Sequence, residues 1–442
     1  MPSRERPNID LLDVKSFASG QPHDAFRWLR EHDPVHWHAE PGGPGFFAVT
    51  RYEDVREVGR DPERFSSVPT IMIPDPAADL SFEIDDHQMM LMMDPPKHTQ
   101  YRRLISSEFT PRGARELGPR VRELAAQIVD RVIERGACDL VEDIAGELPS
   151  YVIAELLGIP LEDGRKLYRL TETIHSAPET LPPGAYAVAV LEMFQYAARV
   201  IAEKRARPAD DLATKILHAE VDGRRFDDID FNLFFMLLVD AGGDTTRNLV
   251  AGGMHALFEH PDERRKLAAN LDALLPSAVE EMLRFVSPVI YMRRTAMRDT
   301  ELGGVKIRAD QKVVLYYGSA NRDASVFAEP NRFDVAREPN LHLAFGGGQH
   351  FCLGAHIARV EIEAMLREIL TRLPDIEPTG PAVWLPSTFI SGPKSLPVRF
   401  SPSAKRRSRG PRAPGSDPSA RPRRAGGASR GRTSSRESPA GS

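Results

Sequence analysis

Cysteine is nearly absent: Cys138 and Cys352 are the only two in 442 residues. That scarcity excludes a disulfide framework and leads us to expect a reducing, cytoplasmic compartment. Structural zinc usually closes on four ligands, commonly with paired cysteines, and no Cys-x-x-Cys pair occurs. Long apolar runs are also missing. The longest near the middle, residues 233–239, falls far short of the roughly 20 residues a membrane helix needs. Residues 1–21 are polar and charged, so neither a secretory signal nor a membrane span is expected. No Gly-x-Gly-x-x-Gly fingerprint follows a strand and there is no phosphate-binding loop, which argues against a fused nicotinamide or flavin domain. No repeat with a period of 20–50 residues is visible.

Charge is unevenly spread. The formal net charge is −5, yet residues 401–442 hold ten Arg and one Lys against Asp417 and Glu437. That segment carries +9 and leaves −14 for residues 1–400. It is rich in Ser, Pro, Gly and Ala and lacks aromatic residues, so disorder is expected. Without aromatics for base stacking, a nucleic-acid partner is not expected. The chain is long enough for two or three domains. The spread of motifs described below argues instead for one domain over 21–400, an N-terminal extension over 1–20 and a tail over 401–442.

The patterning predicts a strand at residues 46–50 and a short helix from Tyr52. Residues 66–93 read as a long Pro- and Met-rich loop. From Pro96 the signal is mainly helical for about 160 residues, and short strands appear after Thr295. Helix returns over 353–373. These signs indicate a large, mainly α protein with a minor β portion.

Phe345-Gly346-Gly347-Gly348-Gln349-His350-Phe351-Cys352-Leu353-Gly354 places Cys352 between a glycine-rich turn and a helix. The turn's N–H groups and the helix N-terminus favour a thiolate there. A thiolate can serve as an axial ligand that donates electron density to haem iron and favours O–O cleavage. Two other readings of these residues are a buried free cysteine and a zinc site from His350, Cys352 and His356. A second unusual stretch, Ala241-Gly242-Gly243-Asp244-Thr245-Thr246, interrupts the apolar helix expected over 234–257. Two mid-helix glycines cost about 1 kcal/mol each relative to Ala, and an acid inside an apolar helix must be paired. Locally unfavourable sequence of this kind marks a functional site. Thr245 can bond back to the Ala241 carbonyl and present its hydroxyl; Asp244 can relay protons.

The ten residues ending at Gly354 match the Phe-Gly-x-Gly-x-His/Arg-x-Cys-x-Gly segment at every fixed position, and on them the chain resembles the cytochrome P-450 superfamily of haem-thiolate monooxygenases. Residues 241–245 resemble that family's acid–alcohol segment. The likeness runs from about residue 46 to 400. It implies a single fold in which haem b (iron protoporphyrin IX) lies between the long central helix and the Cys352 loop. Cys352 is then the axial ligand to iron, and Phe345, Gly354, Ala241 and Gly242 border the macrocycle. His98, Arg102, Arg294 and His350 match propionate contacts. Asp244 and Thr245 match the pair that delivers protons to O2. Glu281 and Arg284, three apart on one helix face, match the first two members of a buried Glu–Arg–Arg network that Arg332 would complete.

The resemblance also implies a soluble bacterial type that hydroxylates an apolar small molecule such as a steroid, branched lipid or terpenoid. Electrons would come from a separate ferredoxin and its reductase, docking on the Cys352 side near Arg103, Arg112 and Arg359. Alternatives are a tailoring oxidase that epoxidises or couples, and a haem-binding sensor without turnover. Ile71, Met89, Leu237, Ile290 and Phe389 are the candidate pocket residues, with Met72, Met90, Leu238, Val289, Tyr291 and Ile390 beside them.

Overall fold

The structure, a computed structural model, describes residues 9–75, 87–176 and 180–405. Residues 76–86 of the long loop and 406–442 of the basic tail lie outside the described residues, as do 1–8 and 177–179. The chain opens with α1 (His23–His32), β1 (Val35–His38), β2 (Phe46–Val49), α2 (Tyr52–Arg60) and β3 (Phe65–Ser66). Helices follow as α3 (Lys97–Arg103), α4 (Pro111–Val132), α5 (Glu147–Leu157), α6 (Leu161–His175), α7 (Ala185–Ala206), α8 (Leu212–Leu217) and the long α9 (Asp228–Glu259). After α10 (Pro261–Ala269) and α11 (Leu271–Val286) come β4 (Tyr291–Ala296), β5 (Lys312–Tyr316), α12 (Tyr317–Ala320) and α13 (Ala355–Arg372). The strand at 46–49, the helix from Tyr52 and the mainly α composition agree with the sequence patterning.

Local chemistry sets the ends of these elements. Thr110 accepts the Gly113 N–H and Pro111 occupies the first turn, which starts α4. Asp227 caps the N–H groups of Ile229 and Asp230, and the Asp230 carboxylate returns to the Asp227 N–H. That reciprocal cap starts α9 at Asp228, before the apolar run that signals the helix in sequence. α9 is buried on nearly all sides because α5, α6, α7, α11 and α13 pack around it.

Five strands form the main sheet in the order β1-β2-β5-β4-β3. β5 runs parallel to β2 and antiparallel to β4, with Val313 opposite Arg294. The largest apolar cluster lies among the helices, and two smaller ones lie against the sheet. Residues 9–20 fold onto the third cluster through buried Leu11 and Phe17, so this part of the expected extension belongs to the packed domain. Burial pushes the Cys138 thiol up to about 12, which keeps it protonated and inert. Among the described helices, α7 is long and apolar enough to cross a membrane by length and composition; it packs against α6, α8 and α9.

Candidate active site

Gly346 and Gly348 turn the cysteine loop with φ of +69° and +65°. A Cβ on Gly348 would approach the Gly59 carbonyl oxygen to 2.2 Å, so only glycine lets the loop lie directly on α2. The Cys352 N–H then donates to the Phe345 carbonyl at 2.9 Å, and α13 begins three residues later. Arg359 braces this loop. Its guanidinium forks onto Glu280 at 2.6 and 2.8 Å and lies 4.7 Å from the Phe345 ring centroid. Burial opposes ionisation of Glu280, but Arg359 and His342 hold its carboxyl down at about 2.

Cys352 opens onto a cavity of about 620 Å³. Ala241, Gly242 and Thr245 of α9 wall it, as do Phe345 and Gly354 of the loop. The Thr245 hydroxyl donates to the Ala241 carbonyl at 3.0 Å, as the i,i−4 spacing predicts. A Cβ on Gly354 would meet nothing within 4 Å, so the cavity wall is open at this glycine. Burial pushes the Cys352 thiol up, against the Gly354 N–H, Arg102 and Arg359. The helix terminus alone therefore does not produce a thiolate here. A metal cation bound at the sulfur would supply the missing charge.

His98, Arg102, Arg294 and His350 all reach the same cavity. The His98 and His350 rings stand 4.1 Å apart. Burial and the neighbouring arginines hold His98 at about 4 and His350 at about 2, so both are uncharged at neutral pH. Positive charge at this edge comes from Arg102 and from Arg294, which is buried on β4. Two guanidinium groups with two neutral imidazole rings suit a pair of carboxylates, and the thiol and open glycine face suit an iron macrocycle. The residues present fit haem.

Asp244 faces away from this cavity. Its carboxylate is fully buried and pairs with Arg247 at 2.6 Å. Arg247 also reaches the Tyr168 hydroxyl and lies 3.9 Å from Glu172, which is 3.8 Å from the half-exposed Lys394. A chain of charges thus leads from the residue beside Thr245 to solvent. Arg247 follows Asp244 by three residues, a helical pairing signal that a reading of the motif alone passes over.

Four of the five candidate pocket residues, Ile71, Met89, Leu237 and Phe389, line the cavity. Ile290 does not. It is fully buried in the third apolar cluster, while its neighbours Val289 and Tyr291 face the cavity, because extended backbone sends alternate side chains to opposite sides.

Glu281 and Arg284 form a fully buried fork at 2.7 and 2.8 Å. Arg332 does not complete the network. Its side chain is exposed and pairs with Glu329, and only its carbonyl accepts from Arg284. Arg337 takes the place, donating to Glu281 at 3.1 Å, because the turn after Phe333 brings position 337 back to the helix. Of the expected docking cations, Arg103 is exposed, Arg112 pairs with Glu116 and Arg359 is committed to Glu280. Sequence reading also missed Glu361. It is 4% exposed and lines the cavity, and burial, opposed by a Thr246 hydrogen bond, raises its carboxyl to about 8. A single Glu on a helix carries no sequence mark of burial.

The cytochrome P450 family model matches residues 185–374. The chain is 37% identical over 430 residues to a steroid C26-monooxygenase of Mycolicibacterium smegmatis, covering 95% of this chain and 99% of that protein. It is 39% identical over 417 residues to a methyl-branched lipid omega-hydroxylase of Mycobacterium tuberculosis, covering 90% and 97%. A solved Mycobacterium marinum cytochrome P450 in complex with pseudoionone superimposes with a TM-score of 0.84 at 39% identity, covering 90% of this chain and all of that one.

Proposed function

The chain belongs to the cytochrome P450 superfamily, and on that premise we propose that it hydroxylates an elongated apolar molecule of the steroid or methyl-branched lipid class. It is a monooxygenase with haem b as cofactor. When bound, haem supplies the iron at which O2 is activated. Cys352 would bind that iron through its sulfur, and Arg102, Arg294, His98 and His350 would hold the haem carboxylates. The observation that carries this reading is the shared cavity: Cys352, Thr245 and the Arg102–Arg294 edge all face one largely apolar space.

The roles of this chain's residues follow from their surroundings. Thr245 is held by the Ala241 carbonyl with its hydroxyl oxygen at the cavity wall and positions a proton there. Asp244 and Arg247 supply the route by which protons arrive from Glu172 and the surface. Ile71, Met89, Leu237 and Phe389 exclude water and grip the hydrocarbon, with Met89 able to adapt its shape. Each turnover takes substrate-H, O2, two electrons and two protons to substrate-OH and water. The electrons come from a ferredoxin and its reductase, since no cofactor domain of that kind is encoded within 21–400.

The test is an absorption titration of the ferric holoenzyme against steroids, methyl-branched lipids, terpenoids and small polar molecules. The expected result is a thiolate-haem Soret band that moves toward the high-spin position with the apolar ligands. Binding confined to polar or charged molecules sinks the proposal.

A further inference from the structure

Residues 11–21 form a strap that is tied down at both ends. The Leu11 N–H donates to His38 Nε2 at 3.0 Å. His38 Nδ1 faces the Ala39 carbonyl at 2.7 Å, so the partners assign the ring proton to Nδ1. Just before the strap, Asp10 Oδ1 accepts the Leu12 and Asp13 N–H groups at 2.9 and 3.1 Å, a turn that fixes the direction of Leu12. At the far end, Gln21 Nε2 donates to the Val286 and Ser287 carbonyls at 3.0 and 2.9 Å. Leu11 and Phe17 are buried in the third apolar cluster, and those two anchors suffice to pack the strap. Leu12 and Val14 instead line the cavity. Leu12 packs on the cluster that contains Ile73 and Tyr291, which line it too. Ile73 is itself restrained, since its carbonyl accepts from Arg293 and Lys312 at 3.2 and 2.9 Å. A segment near a chain terminus is ordinarily loose. One restrained in this way can discriminate between ligands by shape, because binding need not order it.

On the apolar-substrate reading above, we propose that Leu12 and Val14 are specificity-determining residues whose bulk sets how long a hydrocarbon chain the cavity accepts. His38 is a positioning residue. It acts through the Leu11 N–H and keeps Leu12 against the cavity. Trimming Leu12 opens room for about two methylene groups, and each one buried there tightens binding by about fourfold. A larger side chain at the same position closes that room and excludes the longer chains.

The experiment is a Soret titration of the holoenzyme with steroids and with methyl-branched lipids that differ only in chain length. The unaltered enzyme should show an affinity optimum at one chain length. Leu12→Ala should move that optimum to a chain about two methylenes longer, with about fourfold tighter binding per added methylene. Leu12→Trp should weaken the longest lipids at least about tenfold and leave the shortest within about twofold. His38→Phe removes the acceptor for Leu11 and should flatten the length profile. His38→Gln, which can place an acceptor there, should restore the profile in part. A residue that only supported the fold would weaken all lengths alike. An unaltered enzyme without an optimum overturns the assignment and leaves the apolar-substrate reading standing. So does an optimum that stays in place in both Leu12→Ala and Leu12→Trp, and so does binding of steroids with no lipid of any length. A length profile unchanged in His38→Phe overturns the role of His38. Should Leu12→Trp fail to retain haem, Val14→Trp takes its place, and an optimum unmoved in it and in Leu12→Ala overturns the assignment equally. If neither steroids nor lipids move the band, the substrate reading fails and the length limit falls with it.

Discussion

Replacing Glu361 by Gln should change how stability depends on pH. Its carboxyl is raised from the ordinary 4.5 to about 8, chiefly by burial. Between those values the folded chain holds a proton that the unfolded chain has lost. The group's contribution to stability is therefore complete at low pH and falls as pH rises through this window. For one group with these two values, the loss between pH 5.5 and 7.5 is roughly 2–3 kcal/mol. In a fold of about 400 residues that corresponds to roughly 3 °C in Tm. Gln keeps the shape and can accept the Thr246 hydroxyl hydrogen bond through its amide oxygen without titrating. Thermal melts of both holoenzymes at the two pH values isolate the effect, because His98, His350 and the other titrating groups are common to both and cancel in the difference. The variant should gain about 3 °C on the parent in going from pH 5.5 to 7.5. A difference that does not change with pH, or that favours the parent at the higher pH, refutes the assignment.

Three further expectations follow from the geometry. Thr245→Ala removes the hydroxyl held at the cavity wall, so product formed per O2 consumed should fall at least about tenfold while ligand-induced Soret shifts persist. Arg337→Ala leaves Glu281 short of a buried partner and should destabilise by about 3 kcal/mol, whereas Arg332→Ala should stay within about 0.5 kcal/mol; paired denaturation curves decide between them. Gly348→Ala places a methyl against the Gly59 carbonyl at positive φ and should lower Tm and haem retention together, at a cost of roughly 1–3 kcal/mol, as read by melting and by haem absorbance per protein.

The site was legible where its chemistry is local. The ten residues ending at Gly354 encode a turn, a sulfur and the start of a helix within a few peptide units. The Thr245-to-Ala241 bond is a single helical turn. Those features depend on spacing alone, and the structure reproduces them. The cavity-edge residues His98, Arg102, Arg294 and His350 were legible as positions, but their charge states were not. His98 and His350 are neutral because burial and nearby arginines outweigh the intrinsic imidazole pKa, and burial is a property of the packed fold.

What the sequence determined by itself is thus the mainly α class, a cysteine at the end of a glycine turn, and the Asp244–Thr245 segment on a buried helix, since each is written in contiguous residues and in their periodicity. What only the tertiary structure decided are the partners that meet across long stretches of chain. A turn rather than a motif chose Arg337 over Arg332 to complete the Glu281 network. Strand pleating turned Ile290 away from the cavity and Val289 and Tyr291 toward it. The packing of α13 on α9 brought Glu361 to Thr246, 115 positions apart in sequence. In each case the deciding quantity is the direction of a side chain relative to distant backbone, which local spacing does not encode.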